Sequence, residues 1–353
     1  MNTKLFYKDE PLFGLDIGSS SVKVMQIIKT GKKRQIIGYG ATSYSPQAMK
    51  NGIIEDPKEL AKAVKNLFEK NLVGNITTRR AALSVPIAKT YNRVISLPKM
   101  NVKDIGEAVK LEAAQYIPVP LDDLYVDYNI TATSKDGYEL LVAAAPKKMI
   151  DSYITFANLL NLEVGVLETT ISASSRLVAN VELKDIPTIL IDFGTLSVDM
   201  SIYDKQLIVT GTVSGGGETF TDLISKKLDV SKQAAHTIKT KYGLNVSKKQ
   251  REIEDALKPI LSSLSKEVRK MVRYYDERTK TENQISQIIT MGGGANMPGL
   301  ADYLTRELRI PTRMCDPWIN LDFGKLQPPN EVEKSMYITA AGLSLINPKE
   351  IWA

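Results

Sequence analysis

The stretch FGLDIGSSSVKVMQI, residues 13–27, decides the fold because the chain carries a second version of it, ILIDFGTLSVDMSIY, at residues 189–203. The two stretches align without a gap at an offset of 176 residues (192 minus 16), about half of the 353-residue length. A chance likeness between two hairpins is the alternative, but it would not preserve the strand phase together with both special residues, Asp and Gly. The sequence therefore predicts a duplication, with four identical pairs: Asp16 and Asp192, Gly18 and Gly194, Ser21 and Ser197, Val22 and Val198.

The elements that follow each stretch are repeated as well. In each half, short apolar runs separated by tight turns predict an antiparallel meander of three strands. A helix is predicted next, at 56–70 in the first half, with Asp56 as N-cap and Pro57 as first helical residue, and at 219–228 in the second. A longer amphipathic helix is predicted at 256–278. This order predicts an α/β fold of two related domains with a cleft between them.

The segment 83–146 lies between the two copies and resembles neither of them. Its runs AALSVPIAKTYNRVISLP and ELLVAAAP predict strands, and VKDIGEAVKLEAAQYI predicts a helix that Pro118 and Pro120 end. The segment supplies no turn of the repeated acidic kind. We therefore expect a small inserted subdomain that serves contact with other molecules rather than chemistry.

Composition excludes several classes of protein. Hydrophobic residues at 43% and charged residues at 24% are ordinary values for a globular chain, so a disordered protein is excluded. The Lys and Arg residues are spread along the chain with only short clusters such as KTGKKR, so the net charge of +6 does not lead us to expect nucleic-acid binding. Cys315 is the only cysteine, which excludes an intrachain disulfide or a thiolate metal site. No signal peptide or membrane span is readable, so we expect a partner to hold the chain at any membrane.

The repeated turn has the chemistry of a phosphate and magnesium site. An Asp at the end of a strand, followed by Gly and by Ser or Thr, places backbone N–H groups and hydroxyls beside one carboxylate. Either turn alone is a common way to end a strand, but two facing turns can hold a triphosphate from both sides. We predict that Asp16 and Asp192 bind Mg²⁺ through water and that the phosphates are bound by Gly18, Ser19, Ser20, Ser21, Lys23, Gly194 and Thr195.

Two glycine-rich junctions extend this site. SGGGETFTDLI contains Gly215, Gly216 and Gly217, and TMGGGANMPGL contains Gly292, Gly293 and Gly294. Three glycines before a helix let backbone N–H groups approach an anion or a flat ring. Neither junction is a dinucleotide-binding G-x-G-x-x-G, and no G-x-x-x-x-G-K-[ST] is present, so the chain is not a P-loop protein.

The four motifs, in this order, resemble the actin-like ATPase superfamily over nearly the whole chain. The resemblance implies a duplicated ribonuclease-H-like fold that binds ATP and Mg²⁺ between its two domains. AAHTIKTKYG is similar to the helix that carries an adenosine-contacting E-x-x-K, in which Lys239 matches the Lys and His236 replaces the Glu. Glu168, in GVLETTISA, resembles the Glu of an E-P motif and is the candidate water activator, although Thr169 stands in place of Pro. We expect at most a slow ATPase.

Within the superfamily, the insertion indicates the branch. ISLPKM, LEAAQYIPVPLDDLYVDY and LLVAAAPKKMID are similar to the PilM family of type IV pilus assembly proteins, relatives of the division protein FtsA with a subdomain at this point. The resemblance implies a cytoplasmic scaffold held at the inner membrane by the N-terminal tail of a bitopic PilN-like protein, with links to pilus motor ATPases. Neither nucleic-acid binding nor direct membrane insertion is expected.

The residues alone leave two other functions open. A small-molecule kinase of the same superfamily would use Asp192 or another acid of the cleft as base toward a sugar or acetate hydroxyl. An FtsA-like division scaffold is expected to end in a membrane-binding helix, whereas this sequence ends in AAGLSLINPKEIWA.

The predicted domains are 1A (10–82, 147–185 and 335–353), the inserted 1C (83–146), 2A (186–225 and 284–334) and 2B (226–283).

Overall fold

The computed structural model describes residues 11–31, 33–181, 186–278, 284–348 and 351. The predicted domain limits at 10, 185, 283 and 353 lie outside the described residues, as does Lys32 of the KTGKKR cluster. In chain order the strands are β1 (Phe13–Ile17), β2 (Ser21–Thr30), β3 (Lys33–Ser43), β4 (Met49–Lys50), β5 (Ile53–Ile54), β6 (Val73–Gly74), β7 (Arg80–Val85), β8 (Tyr91–Pro98), β9 (Leu124–Thr133), β10 (Gly137–Pro146), β11 (Glu163–Thr169), β12 (Thr188–Phe193), β13 (Ser197–Asp204), β14 (Gln206–Ser214), β15 (Gln287–Met291) and β16 (Thr312–Met314).

The helices confirm the predicted ones, with shifted ends. Asp56 caps the first helix, because its Oδ1 accepts hydrogen bonds from the N–H groups of Lys58 at 3.1 Å and Glu59 at 3.0 Å. The helix predicted at 256–278 begins earlier, at Gln250, and includes Pro259. In chain order the helices are α1 (Pro57–Asn66), α2 (Ile105–Tyr116), α3 (Lys147–Leu159), α4 (Thr170–Val181), α5 (Gly217–Leu228), α6 (Lys232–Lys241), α7 (Gln250–Arg278), α8 (Leu300–Leu308) and α9 (Ile338–Ser344).

Two sheets of the same topology confirm the duplication. The first has the strand order β11-β7-β1-β2-β3-β6, and the second has the order β14-β13-β12-β15-β16. In each sheet an antiparallel meander is followed by a strand parallel to its first member: β7 lies beside β1, and β15 lies beside β12. The two Asp-containing strands therefore occupy equivalent central positions.

Helices cover both faces of the first sheet. Phe13, Leu15 and Ile17 pack against α1 and α3 on one face. The opposite face carries α9, and Gly14 permits this contact because a Cβ there would lie 1.9 Å from the carbonyl oxygen of Ala340. Apolar residues of β2, α4 and α9 form one core with Leu190 of the second sheet. The two halves are therefore joined through a shared apolar layer.

The second half has one continuous core. Residues of β12 and β13 pack with α5, α7 and α8 in a single apolar cluster. The segment 226–283, predicted as subdomain 2B, contributes α7 to this core, since Leu257, Leu261 and Val268 are fully buried there. The described part of this segment is thus packed directly on the second sheet.

The inserted subdomain consists of β8, β10 and β9, in that order, with α2 packed on them. Ile105 and Val109 of α2 contact Leu140 and Val142 of β10 in its core. The predicted beginning at residue 83 falls inside β7, which pairs with β1 and β11 in the first sheet. The run AALSV is apolar because it is buried on both sides of that sheet. The inserted sheet begins at Tyr91 and ends at Pro146.

Candidate functional site at the two repeated turns

The turn after β1 is closed by its own backbone. The N–H of Gly18 donates to the carbonyl oxygen of Ser21 at 2.9 Å, and the N–H of Tyr44 donates to that of Ser20 at 3.1 Å. The hydroxyl of Tyr44 donates to the carbonyl oxygen of Gly18. Ser19, Ser20 and Ser21 are half-buried. The predicted phosphate-binding hydroxyls thus lie on a turn whose shape is fixed from behind by Tyr44.

Asp16 is buried and held by two partners. The hydroxyl of Ser84 donates to Oδ1 of Asp16 at 2.7 Å, and the ammonium of Lys23 lies 3.4 Å from its Oδ2. Lys23 comes from the facing strand, because the β1–β2 register pairs it with Asp16. In the first half, then, a lysine compensates the charge of the repeated aspartate.

The second half lacks this compensation. The residue equivalent to Lys23 at the same offset of 176 is Asp199, which the β12–β13 register pairs with Asp192. The pKa of Asp192 is raised to about 7, first by burial and then by the charges of Asp199 and Asp16, while the charge of Lys23 opposes the shift. Burial also raises the pKa of Asp199 to about 6, against hydrogen bonds from Thr212 and Ser197. Because the charges of Asp16 and Lys23 act on the pKa of Asp192, the carboxylates of the two turns lie near each other.

These residues fit a bound magnesium ion. Asp16 is buried, Asp192 and Asp199 are half-buried, and Lys23 is the cation that acts on Asp16 and Asp192, so a divalent cation would improve the charge balance. Within the described ranges, no group of three or more His, Cys, Asp or Glu side chains forms a chelating cluster. Mg²⁺ needs none, because in nucleotide sites it keeps several waters and uses one or two carboxylates plus the phosphates. Asp16 and Asp192 are the residues that would hold it.

The raised pKa of Asp192 has a consequence for stability. The folded chain holds this proton up to about pH 7, whereas an ordinary aspartate loses it near 3.8. The stabilisation is therefore complete below pH 3.8 and is lost as the pH rises through about 7. We expect Asp192→Asn, which stays neutral, to raise the thermal midpoint by about 2–5 °C at pH 8 and by much less at pH 4.5.

Differential scanning fluorimetry without nucleotide or divalent cation measures this difference. Asp229→Asn is the matched control, because Asp229 is exposed and its φ of 51° suits asparagine. A shift of equal size at both pH values would contradict the assignment of the effect to the ionisation of Asp192.

The first glycine-rich junction packs against the second turn. The N–H groups of Gly215 and Gly217 donate to the carbonyl oxygens of Leu196 and Gly194, each at 2.9 Å. A Cβ on Gly216 would lie 2.2 Å from the carbonyl oxygen of Gly194. Two of the three glycine N–H groups are therefore used inside the protein rather than left bare, since they fix the junction to the turn.

Lys239 and the second junction complete this wall of the cleft. The ammonium of Lys239 donates to the carbonyl oxygen of Gly217 at 2.6 Å and to Oγ1 of Thr221 at 2.9 Å. Burial lowers the pKa of Lys239, and Glu218 opposes the shift. His236, three residues before it, is exposed. At the second junction Gly292 has a φ of 81°, and a Cβ there would lie 2.2 Å from Oδ1 of Asp192.

The other two glycines of the second junction pack differently. A Cβ on Gly294 would lie 2.8 Å from Cβ of Phe193, whereas one on Gly293 would meet only Met336, at 3.9 Å. The second turn with Thr195, the two junctions and Lys239 therefore form one side of the cleft. The first turn, with Lys23, faces them.

Glu168 lies elsewhere on the same sheet face. Register pairs it with Ser84, the partner of Asp16, so a row of polar residues crosses the first sheet. Both of its carboxylate oxygens accept hydrogen bonds from Arg176, one of them at 2.7 Å. Arg176 also donates to the carbonyl oxygen of Gly342 at 3.2 Å. In this arrangement Glu168 is bound to an arginine rather than poised beside the turns, and its role as water activator stays a prediction.

Three residues of this site were missed by the sequence analysis. Asp199 could have been found, because the alignment of the two copies places it opposite Lys23. Ser84 is the single polar residue of AALSV, which is a weak signal. Tyr44 reaches Gly18 from 26 residues along the chain, and no local pattern predicts that contact.

A separate cavity lies between the inserted subdomain and both domains. It has a volume of about 300 Å³ and is lined by the turn after β7, by the beginning of β8 and by Tyr116, with Thr210 and Thr212 of β14 opposite. β8 and β14 are edge strands of their sheets in the part of the chain that the structure describes. The guanidinium of Arg93 lies 4.7 Å from the ring centre of Tyr116, whose hydroxyl is buried without a described hydrogen-bond partner.

Comparison with known proteins identifies the family. The model of the family described as type IV pilus assembly protein PilM matches residues 14–347. The chain belongs to the PilM family. Cell division protein FtsA of Enterococcus faecalis is 26% identical over 333 residues, which cover 82% of this chain and 74% of the relative. FtsA of Enterococcus hirae is 23% identical over 348 residues, covering 86% and 78%.

Solved structures confirm the actin-like fold that the PilM resemblance implied. The chain is similar to the structure titled PilM-PilN type IV pilus biogenesis complex, with a TM-score of 0.82, 23% identity, and coverage of 96% of this chain and 98% of that one. It is also similar to MreB5 of Spiroplasma citri bound to ADP, with a TM-score of 0.56, 12% identity and 97% coverage of both chains. No helix in the described ranges is long and apolar enough to cross a membrane.

Proposed function

We propose that this PilM-family chain is an ATP-binding actin-like scaffold of the type IV pilus assembly platform at the inner membrane. The observation that carries the proposal is the pair of repeated turns, because Asp16 and Asp192 end equivalent strands of the two sheets and lie near enough for the charge of Asp16 to raise the pKa of Asp192. Mg²⁺ bound through water to these carboxylates would neutralise the triphosphate. The serines of the first turn, Lys23 and Thr195 would donate to its oxygens.

The adenosine end of the nucleotide is proposed to lie against the two glycine-rich junctions. Lys239 fixes the beginning of α5 there, and Gly293 offers an open backbone surface to a flat ring. A related fold, MreB5, is titled as bound to ADP, which supports nucleotide as the ligand class. Calorimetric titration of ATP into the wild-type chain, with and without Mg²⁺, tests the proposal; no binding in the presence of Mg²⁺ would contradict it.

Hydrolysis is expected to be slow, with a single-turnover rate on the order of 10⁻³ per second or less, as in nucleotide sites without a completed activating group. Both oxygens of Glu168 accept hydrogen bonds from Arg176, so this carboxylate is already occupied by a partner inside the protein. A quenched single-turnover assay measures the rate, and Glu168→Gln is expected to lower it without changing nucleotide affinity. A Glu168→Gln rate equal to that of wild type would remove Glu168 as the activator.

The partner is proposed to be the N-terminal tail of a PilN-like membrane protein, lying in the cavity beside the inserted subdomain. The similar structure titled as a PilM-PilN complex supports the partner. The cavity supports this docking position for the tail, because two edge strands and an aromatic ring surround a volume that fits a few side chains of an extended peptide. Such a tail would hold the chain on the cytoplasmic side of the inner membrane.

A further inference from the structure

The net positive charge of the chain is concentrated in one short segment. Residues 226–251 contain eight Lys or Arg and one Asp, a net charge of +7, whereas the other 327 residues contain 38 Lys or Arg and 39 Asp or Glu, a net charge of −1. Lys and Arg occur along the whole chain, but outside residues 226–251 Asp and Glu balance them, so the net charge is not spread evenly. All of the net positive charge lies between the end of α5 and the beginning of α7.

The structure exposes these cations. Lys239 alone is turned inward, and the other seven side chains are exposed: Lys226, Lys227, Lys232, Lys241, Lys248, Lys249 and Arg251. Among the residues that the structure describes, acidic side chains pair with two of them: Asp222 lies 2.7 Å from Lys232, and Glu252 lies 3.0 Å from Lys249. The remaining cations face solvent on the α5–α6 pair and the loop after it.

That loop, residues 242–249, is rigidly anchored while its tip projects. The N–H of Leu244 donates to the carbonyl oxygen of Pro298 at 2.7 Å, and the side chain of Gln250 donates to the carbonyl oxygen of Leu244 at 3.0 Å. Val246 is nevertheless 93% exposed, and Tyr242 is 42% exposed with the ammonium of Lys241 over its ring. A fixed loop thus presents two apolar side chains surrounded by cations.

This combination favours a lipid surface over the other anionic partners. Seven of the eight cations are lysines, whereas recognition of nucleic-acid phosphate favours the bidentate fork of arginine. Lysines beside an exposed aliphatic side chain and a tyrosine are typical of surfaces that contact anionic bilayers, where the apolar groups enter the headgroup layer. We propose that residues 226–251 dock on an anionic phospholipid surface, with Val246 and Tyr242 at the interface.

The contact is peripheral and independent of the nucleotide site and of the partner tail. Each lysine or arginine near an anionic surface strengthens binding about fivefold, so three or four of them give weak, salt-sensitive attachment. Weak attachment becomes useful when a second element, such as a membrane-anchored partner, binds the same molecule. The face carrying Val246 would then be turned toward the bilayer.

Vesicle co-sedimentation of the full chain tests the proposal. We expect binding to vesicles of 70% phosphatidylcholine and 30% phosphatidylglycerol at 0.1 M KCl, and its loss at 0.5 M KCl or on pure phosphatidylcholine. Lys241→Gln combined with Lys248→Gln should weaken binding about twentyfold. The matched control combines Lys62→Gln with Lys65→Gln on α1, which removes two equally exposed lysines.

A second variant tests the apolar tip. Val246→Asp should weaken vesicle binding without changing the thermal midpoint, because Val246 makes no buried contact. Equal loss of binding in both double variants would show a general charge effect and overturn the assignment. Absence of binding to the anionic vesicles, or selective binding of duplex DNA through the same lysines, would overturn it as well.

Discussion

Asp192→Ala is expected to abolish binding of Mg·ATP, raising the dissociation constant at least about a hundredfold, which corresponds to roughly 3 kcal/mol. Asp192 is the carboxylate whose pKa responds to charges of both halves, because Asp16 and Lys23 of the first half and Asp199 of the second act on it. A Cβ on Gly292 would lie 2.2 Å from Oδ1 of Asp192, so this carboxylate is packed against the second glycine-rich junction. Calorimetry with Mg²⁺ measures the effect.

A control variant and the dependence on metal test whether the loss of affinity comes from the missing metal-binding carboxylate. Asp222→Ala removes an aspartate of the same domain that forms an exposed ion pair with Lys232, and it should leave affinity unchanged. Residual binding of ATP to Asp192→Ala should no longer respond to EDTA, because the carboxylate acts through the metal. Magnesium-dependent binding of wild-type strength in Asp192→Ala would contradict the proposed metal site.

The fold could be predicted because its signal is repeated. The same aspartate and glycine occur twice on the same strand phase, and each copy precedes a helix, so the two sheets follow from local pattern. The boundary at residue 83 could not be found in this way. The run AALSV is equally apolar as a strand of an inserted sheet or of the first sheet, and only pairing with β1 and β11 decides between them.

The site was predictable in its residue types and less so in its contacts. The turns carry their chemistry in sequence, but the surroundings of each acid come from other strands. Asp16 is compensated by Lys23, whereas Asp192 faces Asp199, and this difference emerges only when the two strands are paired. Glu168 was chosen from its motif position, and its pairing with Arg176, eight residues further along on α4, depends on how that helix packs on the sheet.

The cavity beside the inserted subdomain and the cleft share one strand. Thr212 lines the cavity, and its hydroxyl also donates to Oδ1 of Asp199 at 2.9 Å. A variant of Thr212 would therefore disturb both sites at once. Ala88 is a better position, because it is exposed, lines the cavity from the turn after β7 and contacts none of the acids of the cleft.

Ala88→Trp is therefore expected to weaken binding of a labelled peptide from the N-terminus of the PilN-like partner at least about tenfold, since the indole would occupy much of a cavity of about 300 Å³. Fluorescence anisotropy measures the affinity. Ala114→Trp is the matched control, because it makes the same substitution at an exposed position of α2 away from the cavity lining. Both variants should keep the wild-type thermal midpoint and the wild-type affinity for Mg·ATP.

Each outcome of the peptide titration has a separate meaning. A wild-type chain that binds nucleotide but not the peptide would contradict the proposed partner and leave the nucleotide site intact. Equal peptide affinity in wild type and Ala88→Trp would show that the tail docks elsewhere. Arg93→Ala then adds an independent check, because it removes the cation over Tyr116 without filling the cavity. If the tail lies between β8 and β14, we expect both cavity variants to lose peptide binding and Ala114→Trp to keep it. β8 and β14 are edge strands among the described residues, and the backbone groups of an edge strand can hydrogen-bond to an extended peptide.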